Sequence, residues 1–247
     1  MNVTSRMYES VKNSNYTPDP RPHVSPSCIT DCARKLFYKR TGHPESDPTD
    51  NPARLKMEVG TLLHEHFLKK LPLKEMEASR EKVIDGVLWT YRIDGILEDG
   101  TIIEIKTVYG AGADRVKDAP DEKHLLQTQL YMYLEGVSIG KIVYICRDSM
   151  YIFEHDIGLP ATFKQHFSQI NDRAKKIISA GECPDREYRI SLKNDNGNEL
   201  KQNFQREGQR YQSAWQCRYC QYTSLCWKDI YAEARNHKFF IDGKFID

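Results

Sequence analysis

Residues 91–106 read Tyr91-Arg92-Ile93-Asp94-Gly95-Ile96-Leu97-Glu98-Asp99-Gly100-Thr101-Ile102-Ile103-Glu104-Ile105-Lys106, two branched apolar runs on either side of an Asp-Gly pair. Alternation on each side marks a β-hairpin, and its register depends on the length of the turn. A two-residue Asp99-Gly100 turn pairs 98 with 101, sets Asp94 opposite Ile105, and sends Asp94 and Glu104 to opposite faces. A three-residue turn, Glu98-Asp99-Gly100 with Gly100 left-handed, pairs 97 with 101 and 94 with 104. It gathers Arg92, Asp94, Ile96, Ile102, Glu104 and Lys106 on one face, and Tyr91, Ile93, Gly95, Leu97, Thr101, Ile103 and Ile105 on the other. The shorter turn mixes charged and branched side chains on both faces, so burying either strands a charge at a cost of roughly several kcal/mol. The three-residue turn is therefore expected.

Two carboxylates directly opposite one another have Cβ atoms about 4.5–5.5 Å apart, which is destabilising unless a cation lies between them. A hard divalent ion suits that pair: Mg²⁺ takes few protein carboxylates and completes its shell with waters and substrate phosphate oxygens, a pattern matched to phosphodiester hydrolysis. Lys106 follows Glu104 by two residues on the same face. Its ammonium is placed to orient an attacking water or to offset charge building on phosphorus. Taken alone, the three charges are equally those of an exposed sheet face carrying an ion pair.

Outward from the hairpin, the period-two pattern begins at Lys82, and Asp85-Gly86 marks an earlier turn, so a three-stranded meander is expected. Upstream, Leu55, Val59, Leu62, Leu63 and Phe67 repeat at helical spacing over about 53–70. A helix over 26–41 is expected from Ser25 as cap, Pro26 at the first helical position and a stripe of Ile29, Cys32, Leu36 and Phe37 ending at Gly42. Downstream come a helix over about 121–135, strands at 142–145 and 151–155, and a helix over 161–180. Residues 1–24 read as an extended arm, 25–181 as the core, and 182–247 as a polar insertion, with Asn196-Gly197 as a hairpin tip, followed by a cysteine-rich region that packs on the core.

The 247 residues are enough for a sizeable core, and 11% aromatic content excludes a disordered chain. Net charge is +1, so no polyanion partner is implied by global charge, and a nucleic-acid surface must be local. The absence of long apolar runs and targeting segments predicts a soluble, cytoplasmic protein without membrane contact.

Asp94 followed by Glu104-Ile105-Lys106 resembles the Asp…Glu-x-Lys signature of the PD-(D/E)xK nuclease superfamily, whose fold is the α/β restriction-endonuclease-like core with a central mixed β-sheet flanked by helices. Gly60-Thr61-Leu62-Leu63-His64 resembles the Gly-x-x-x-His helix of RecB-like nucleases, and Gln127-Thr128-Gln129-Leu130-Tyr131 their Gln-x-x-x-Tyr helix. The resemblance implies a Mg²⁺ or Mn²⁺ ion held by His64, Asp94, Glu104 and the Ile105 carbonyl, with Lys106 as the catalytic lysine. Gln127 and Tyr131, at i and i+4 on one helix face, would then position the lysine, the water and the DNA backbone. His66 is expected to be structural, and His124 matches no motif closely.

Seven cysteines in a chain without a secretory signal point to metal ligation rather than disulfides, and Cys217-x2-Cys220-x5-Cys226 supplies three thiolates. A zinc site or a cubane cluster needs a fourth, with Cys28, Cys32, Cys146 and Cys183 as candidates. The Cys32-Ala33-Arg34 stretch resembles the N-terminal helix of the iron–sulfur branch of RecB-like nucleases, which includes the AddB nuclease domain and CRISPR-associated RecB-like exonucleases. That resemblance implies a [4Fe–4S] cluster on Cys32, Cys217, Cys220 and Cys226, with Zn²⁺ as the alternative and Cys28 as the rival to Cys32. The cluster would clasp a C-terminal metal-cluster region, a structural role.

Arg34, Lys35, Tyr38, Lys39 and Arg40 combine cations with an aromatic and suit phosphate contact and base stacking, and equally suit an amphipathic helix with solvated charges. Arg206, Arg210, Tyr211, Trp215 and Arg218 form a second candidate surface. The expected activity is a sequence-nonspecific, metal-dependent DNA exonuclease acting on single strands or duplex ends, in recombination, replication, phage DNA processing or CRISPR adaptation in a bacterial, archaeal or phage-infected cell. The alternative is a non-catalytic, metal-clasped nucleic-acid-binding or scaffold protein, and a protein partner is compatible with either; RNA cleavage also fits the residues.

Overall fold

The computed structural model describes residue 10, residues 22–188 and residues 215–228 except the side chains of 215 and 218, together with the backbone of strands at 190–193, 199–200, 210–213, 233–235, 238–241 and 244–246. The elements in chain order are α1 (Ala33–Arg40), α2 (Asn51–Leu68), β1 (Leu73–Ile84), β2 (Val87–Leu97), β3 (Ile102–Val108), α3 (Ala111–Val116), α4 (Glu122–Glu135), β4 (Ile139–Cys146), β5 (Ile152–Gly158) and α5 (Phe163–Ser179), with short pieces after them. The chain divides into two compact units, Met1–Thr30 with Pro52–Ser179, and Asp31–Asn51 with Ala180–Asp247. The Asn196-Gly197 tip and most of the arm expected over 1–24 lie outside the described residues. Among the described residues no helix is long and apolar enough to cross a membrane.

The first unit is built on one sheet in the order β1-β2-β3-β4-β5. β3 and β4 run parallel and the other neighbours antiparallel, so the sheet is mixed and flanked by helices, as expected of a restriction-endonuclease-like core. A parallel pair needs a crossover, and α3 and α4 supply it. The three-residue turn is present: Gly100 has φ +85°, the Leu97 N–H donates to the Thr101 carbonyl at 3.0 Å, and Gly95 and Ile96 pair with Ile103 and Ile102. The charged face is only partly solvated, however: Ile96, Ile102 and Glu104 are buried and Asp94 and Lys106 half-buried, while Arg92 is exposed.

Two boundaries differ most from the expected ones. β1 starts at Leu73 rather than near Lys82, because this edge strand carries charges on both faces and shows no apolar run or clean alternation. The helix expected over 26–41 starts only at Ala33. Val24 instead forms a parallel bridge with Trp89, and the N–H groups of Cys28 and Ile29 both donate to the Ser25 carbonyl at 3.0 Å. That tertiary pairing overrides the capping signal at Ser25 and Pro26, and Cys32 takes the N-cap position. The short α3 had no sequence signal.

α2 lies close to β3 at one point. A Cβ on Gly60 would stand 2.9 Å from Thr107 Oγ1, so the glycine of the Gly-x-x-x-His stretch gives this approach its room.

Candidate active site

Hydrogen-bonded pairing between β2 and β3 stops at Gly95–Ile103. One residue further on, Asp94 Oδ2 accepts the Ile105 N–H at 2.8 Å, so a carboxylate takes over where the ladder ends. The same oxygen lies 2.9 Å from His64 Nε2, which α2 delivers one turn after Gly60. The contact with Asp94 holds the imidazole pKa above its ordinary value against the opposing effect of burial.

Glu104 is 1% exposed. Its Oε1 accepts from Gln127 Nε2 at 2.8 Å and is paired with Lys106 Nζ; its Oε2 is buried with no hydrogen-bond partner. Burial, reinforced by the Asp94 charge, pushes the carboxyl up to about 7 despite the lysine. Gln127 Oε1 accepts from Lys106 Nζ at 3.2 Å, and its Nε2 also donates to Tyr131 Oη at 2.8 Å. One amide thus holds the carboxylate and the ammonium of the Glu-x-Lys pair in fixed relation, and Tyr131, stacked on Tyr91 with ring centroids 5.8 Å apart, fixes the amide. Gln127 and Tyr131 are both buried, so contact with a DNA backbone is not open to them.

His64, Glu77 and Asp94 offer ligand atoms that all lie within 4.8 Å of one another, the one such group among the described residues. Together with the unpartnered Oε2 of Glu104, this acidic, oxygen-rich set fits a hard divalent cation. Glu77 was not among the residues singled out from sequence. Met76 and Ala78 pair with Gly95 and Ile93, so Glu77 stands across from Asp94. The signal was available: carrying the register back from the Asp85-Gly86 turn, where Ile84 pairs with Val87, leads to that position. His66 is exposed and packs edge-on against Phe67. His124 Nδ1 is 3.0 Å from Tyr144 Oη, and burial, with the Lys106 charge, pushes its imidazole down to about 4.

The second unit contains α1 and the late cysteines. Here the expected DNA-contacting residues are largely engaged within the unit. Arg34 donates to the Pro184 carbonyl at 2.8 Å, Arg40 to the Ala180 carbonyl at 2.6 Å, and Lys35 pairs with Asp31 at 3.0 Å. Tyr38 is buried against Tyr222 at 5.4 Å, so base stacking is closed to it; its helix turned the aromatic into the core. Lys39 is exposed. Cys32, Cys217, Cys220 and Cys226 belong to this unit, and burial pushes the Cys217 thiol up to about 12. Their sulfurs do not form a group within 4.8 Å. Cys28 belongs to the first unit, Cys146 is buried and Cys183 exposed. The side chains of Arg206, Arg210, Tyr211, Trp215 and Arg218 lie outside the described residues.

No family model matches the sequence, and no curated protein does. Among solved structures, the chain is similar to SSO0001, with a TM-score of 0.58 and 19% identity over 92% of this chain and 96% of that one. An alkaline exonuclease, LHK-Exo, from Laribacter hongkongensis aligns with a TM-score of 0.48 and 16% identity over 71% of this chain and 91% of that one. At these identities the likeness to SSO0001 is a shared fold.

Proposed function

We propose that the protein is a divalent-metal-dependent DNA exonuclease of the RecB-like PD-(D/E)xK type. The observation that carries the reading is Glu104: a carboxylate 1% exposed, with one oxygen held by Lys106 and Gln127 and the other left without a donor, beside Asp94. A buried oxygen of that kind costs about 1–3 kcal/mol unless a cation or water completes it. Asp94, Glu104, His64 and the Ile105 carbonyl would hold Mg²⁺ or Mn²⁺. Such an ion supplies Lewis-acid polarisation of the phosphate and a more acidic water.

The protein's own contribution is placement. Lys106 is anchored between Glu104 and Gln127, from where its ammonium would orient water or offset charge on phosphorus. Hydrolysis then consumes one water, breaks one P–O bond and leaves a hydroxyl and a terminal phosphate. In the second unit, Cys32, Cys217, Cys220 and Cys226 would hold a [4Fe–4S] cluster, with Zn²⁺ as the alternative. All four thiols belong to that unit, and Arg34 Nη1, 3.8 Å from Cys226 Sγ, offers a hydrogen bond of the sort that would tune a ligating sulfur.

The test uses anaerobically prepared full-length protein with end-labelled single- and double-stranded DNA in Mg²⁺, Mn²⁺ or EDTA, beside Glu104→Ala. Stepwise nucleotide release that needs the metal and is lost in the variant is the expected result. Salt-dependent DNA binding with no cleavage in either metal would overturn it in favour of a binding or scaffold protein.

A further inference from the structure

Glu77 has no place in the motifs that suggest a nuclease, yet it is built into the same centre. The His64 ring lies between two carboxylates, with Nε2 2.9 Å from Asp94 Oδ2 and Nδ1 3.6 Å from Glu77 Oε1. The other Glu77 oxygen, Oε2, is 2.8 Å from Arg92 Nε, so the carboxylate is anchored with Oε1 toward the imidazole. Arg92, Glu77, His64 and Asp94 thus form a continuous chain of polar contacts leading into the candidate cation site.

The backbone carries a second, independent mark. Glu77 has φ +53°, in the left-handed region, although Met76 and Ala78 on either side remain paired with β2. That conformation is unfavourable for a side-chain-bearing residue and easy for glycine. Strain of this type persists where the surrounding structure holds a group in a required place. Here the group is the carboxylate beside Nδ1.

We propose that Glu77 is a positioning residue of the metal centre: it accepts the Nδ1–H of His64, closing the 3.6 Å separation to a hydrogen bond as Nε2 ligates the divalent ion. Metal-ligating histidines commonly give their second nitrogen to a carboxylate, which fixes the tautomer and ring orientation and strengthens the ligand. Glu77 also adds negative charge near the ion, balanced by Arg92. The inference rests on the metal-centre reading given above.

Glycine separates the two properties of this position. Glu77→Gly relieves the left-handed strain and removes the carboxylate, whereas Glu77→Gln keeps an oxygen able to accept the Nδ1–H. Calorimetric titration of Mn²⁺ into metal-free, full-length protein should show Glu77→Gly binding about 10–100-fold more weakly than the parent, with a smaller loss for Glu77→Gln. Thermal unfolding of Glu77→Gly in EDTA should occur at or above the parent temperature. Cleavage by Glu77→Gln should recover at high Mn²⁺ with KM for DNA unchanged. Parent-like Mn²⁺ affinity in both Glu77 variants, while His64→Ala loses affinity, overturns the role of Glu77 and leaves the metal centre standing. Absence of Mn²⁺ binding by the parent itself overturns the metal-centre reading, and parent-like binding by His64→Ala removes His64 as a ligand; either takes the inference with it.

Discussion

Glu104 combines nearly complete burial with two hydrogen-bonded neighbours and one vacant oxygen, so its two possible fates are a proton or a cation. Glu104→Ala and Lys106→Ala should therefore fold and lose cleavage, each by about 10²–10³-fold or more in kcat, as expected when a group acting on transition-state charge is removed. Steady-state kinetics alongside far-ultraviolet circular dichroism checks this. The same residue predicts a pH effect on stability. In the metal-free fold the Glu104 carboxyl is raised to about 7 by burial and Asp94, and the His64 imidazole is raised by Asp94 and Glu77, with Lys106 opposing the first. Both groups then bind protons more tightly folded than unfolded, so the stability they contribute is present at low pH and is lost as pH rises from about 4.5 through the folded values. Melting in EDTA should accordingly fall between pH 5 and pH 8, and Glu104→Gln should flatten the part of the slope below pH 7. A parent slope of the opposite sign would contradict the assignment.

At the scale of the element, the β2–β3 hairpin sets the site, and its turn sets the hairpin. Gly100 at φ +85° allows three residues to span the strands, which puts position 94 across from 104. A branched side chain in that conformation costs about 1–2 kcal/mol. Gly100→Val should therefore lower the melting temperature by about 2–8 °C for a domain of this size. Differential scanning calorimetry in EDTA gives the number directly, and an unchanged temperature would mean that the turn tolerates another geometry. β1 shows the limits of reading an element from composition: Lys74, Glu75, Glu77, Arg80 and Glu81 resemble a loop, yet the strand pairs along its length because Asp85 and Gly86, at φ +48° and +81°, form a tight turn that returns it against β2.

At the scale of the whole molecule, α1 belongs with the cysteine-rich C-terminal stretch rather than with the sheet-bearing unit, and Arg34 and Arg40 of the basic run bond to carbonyls within the second unit while Lys39 stays exposed. The soft-metal centre proposed there and the hard-metal centre proposed at Asp94 can be tested separately. Cys226→Ser should lower iron, or zinc if that is the resident metal, from about four iron atoms per chain for a cubane cluster to well below one, while Mn²⁺ affinity at the hard-metal centre stays within about twofold. Elemental analysis and Mn²⁺ titration of the same preparation test both halves, and undiminished metal content in Cys226→Ser would remove that cysteine from the ligand set.

Much of the hairpin was determined by sequence alone, because turn geometry and the two-residue alternation of side chains are local: Gly100, the segregation of charged from branched residues, and the opposition of Asp94 to Glu104 follow from neighbours within sixteen positions. The helices carrying His64 and Gln127 were legible for the same reason, since apolar spacing and capping are also local signals. Tertiary structure alone decided that Glu104 on the charged face would be buried, that Asp94 would capture the Ile105 N–H, that Gln127 would bridge Glu104 and Lys106, and that Tyr38 would turn inward. It also brought Glu77 to His64, through a strand whose charges concealed it. These depend on which surfaces meet after the chain collapses, and the free energy of a buried polar contact comes from the partner it finds there, which no local pattern specifies.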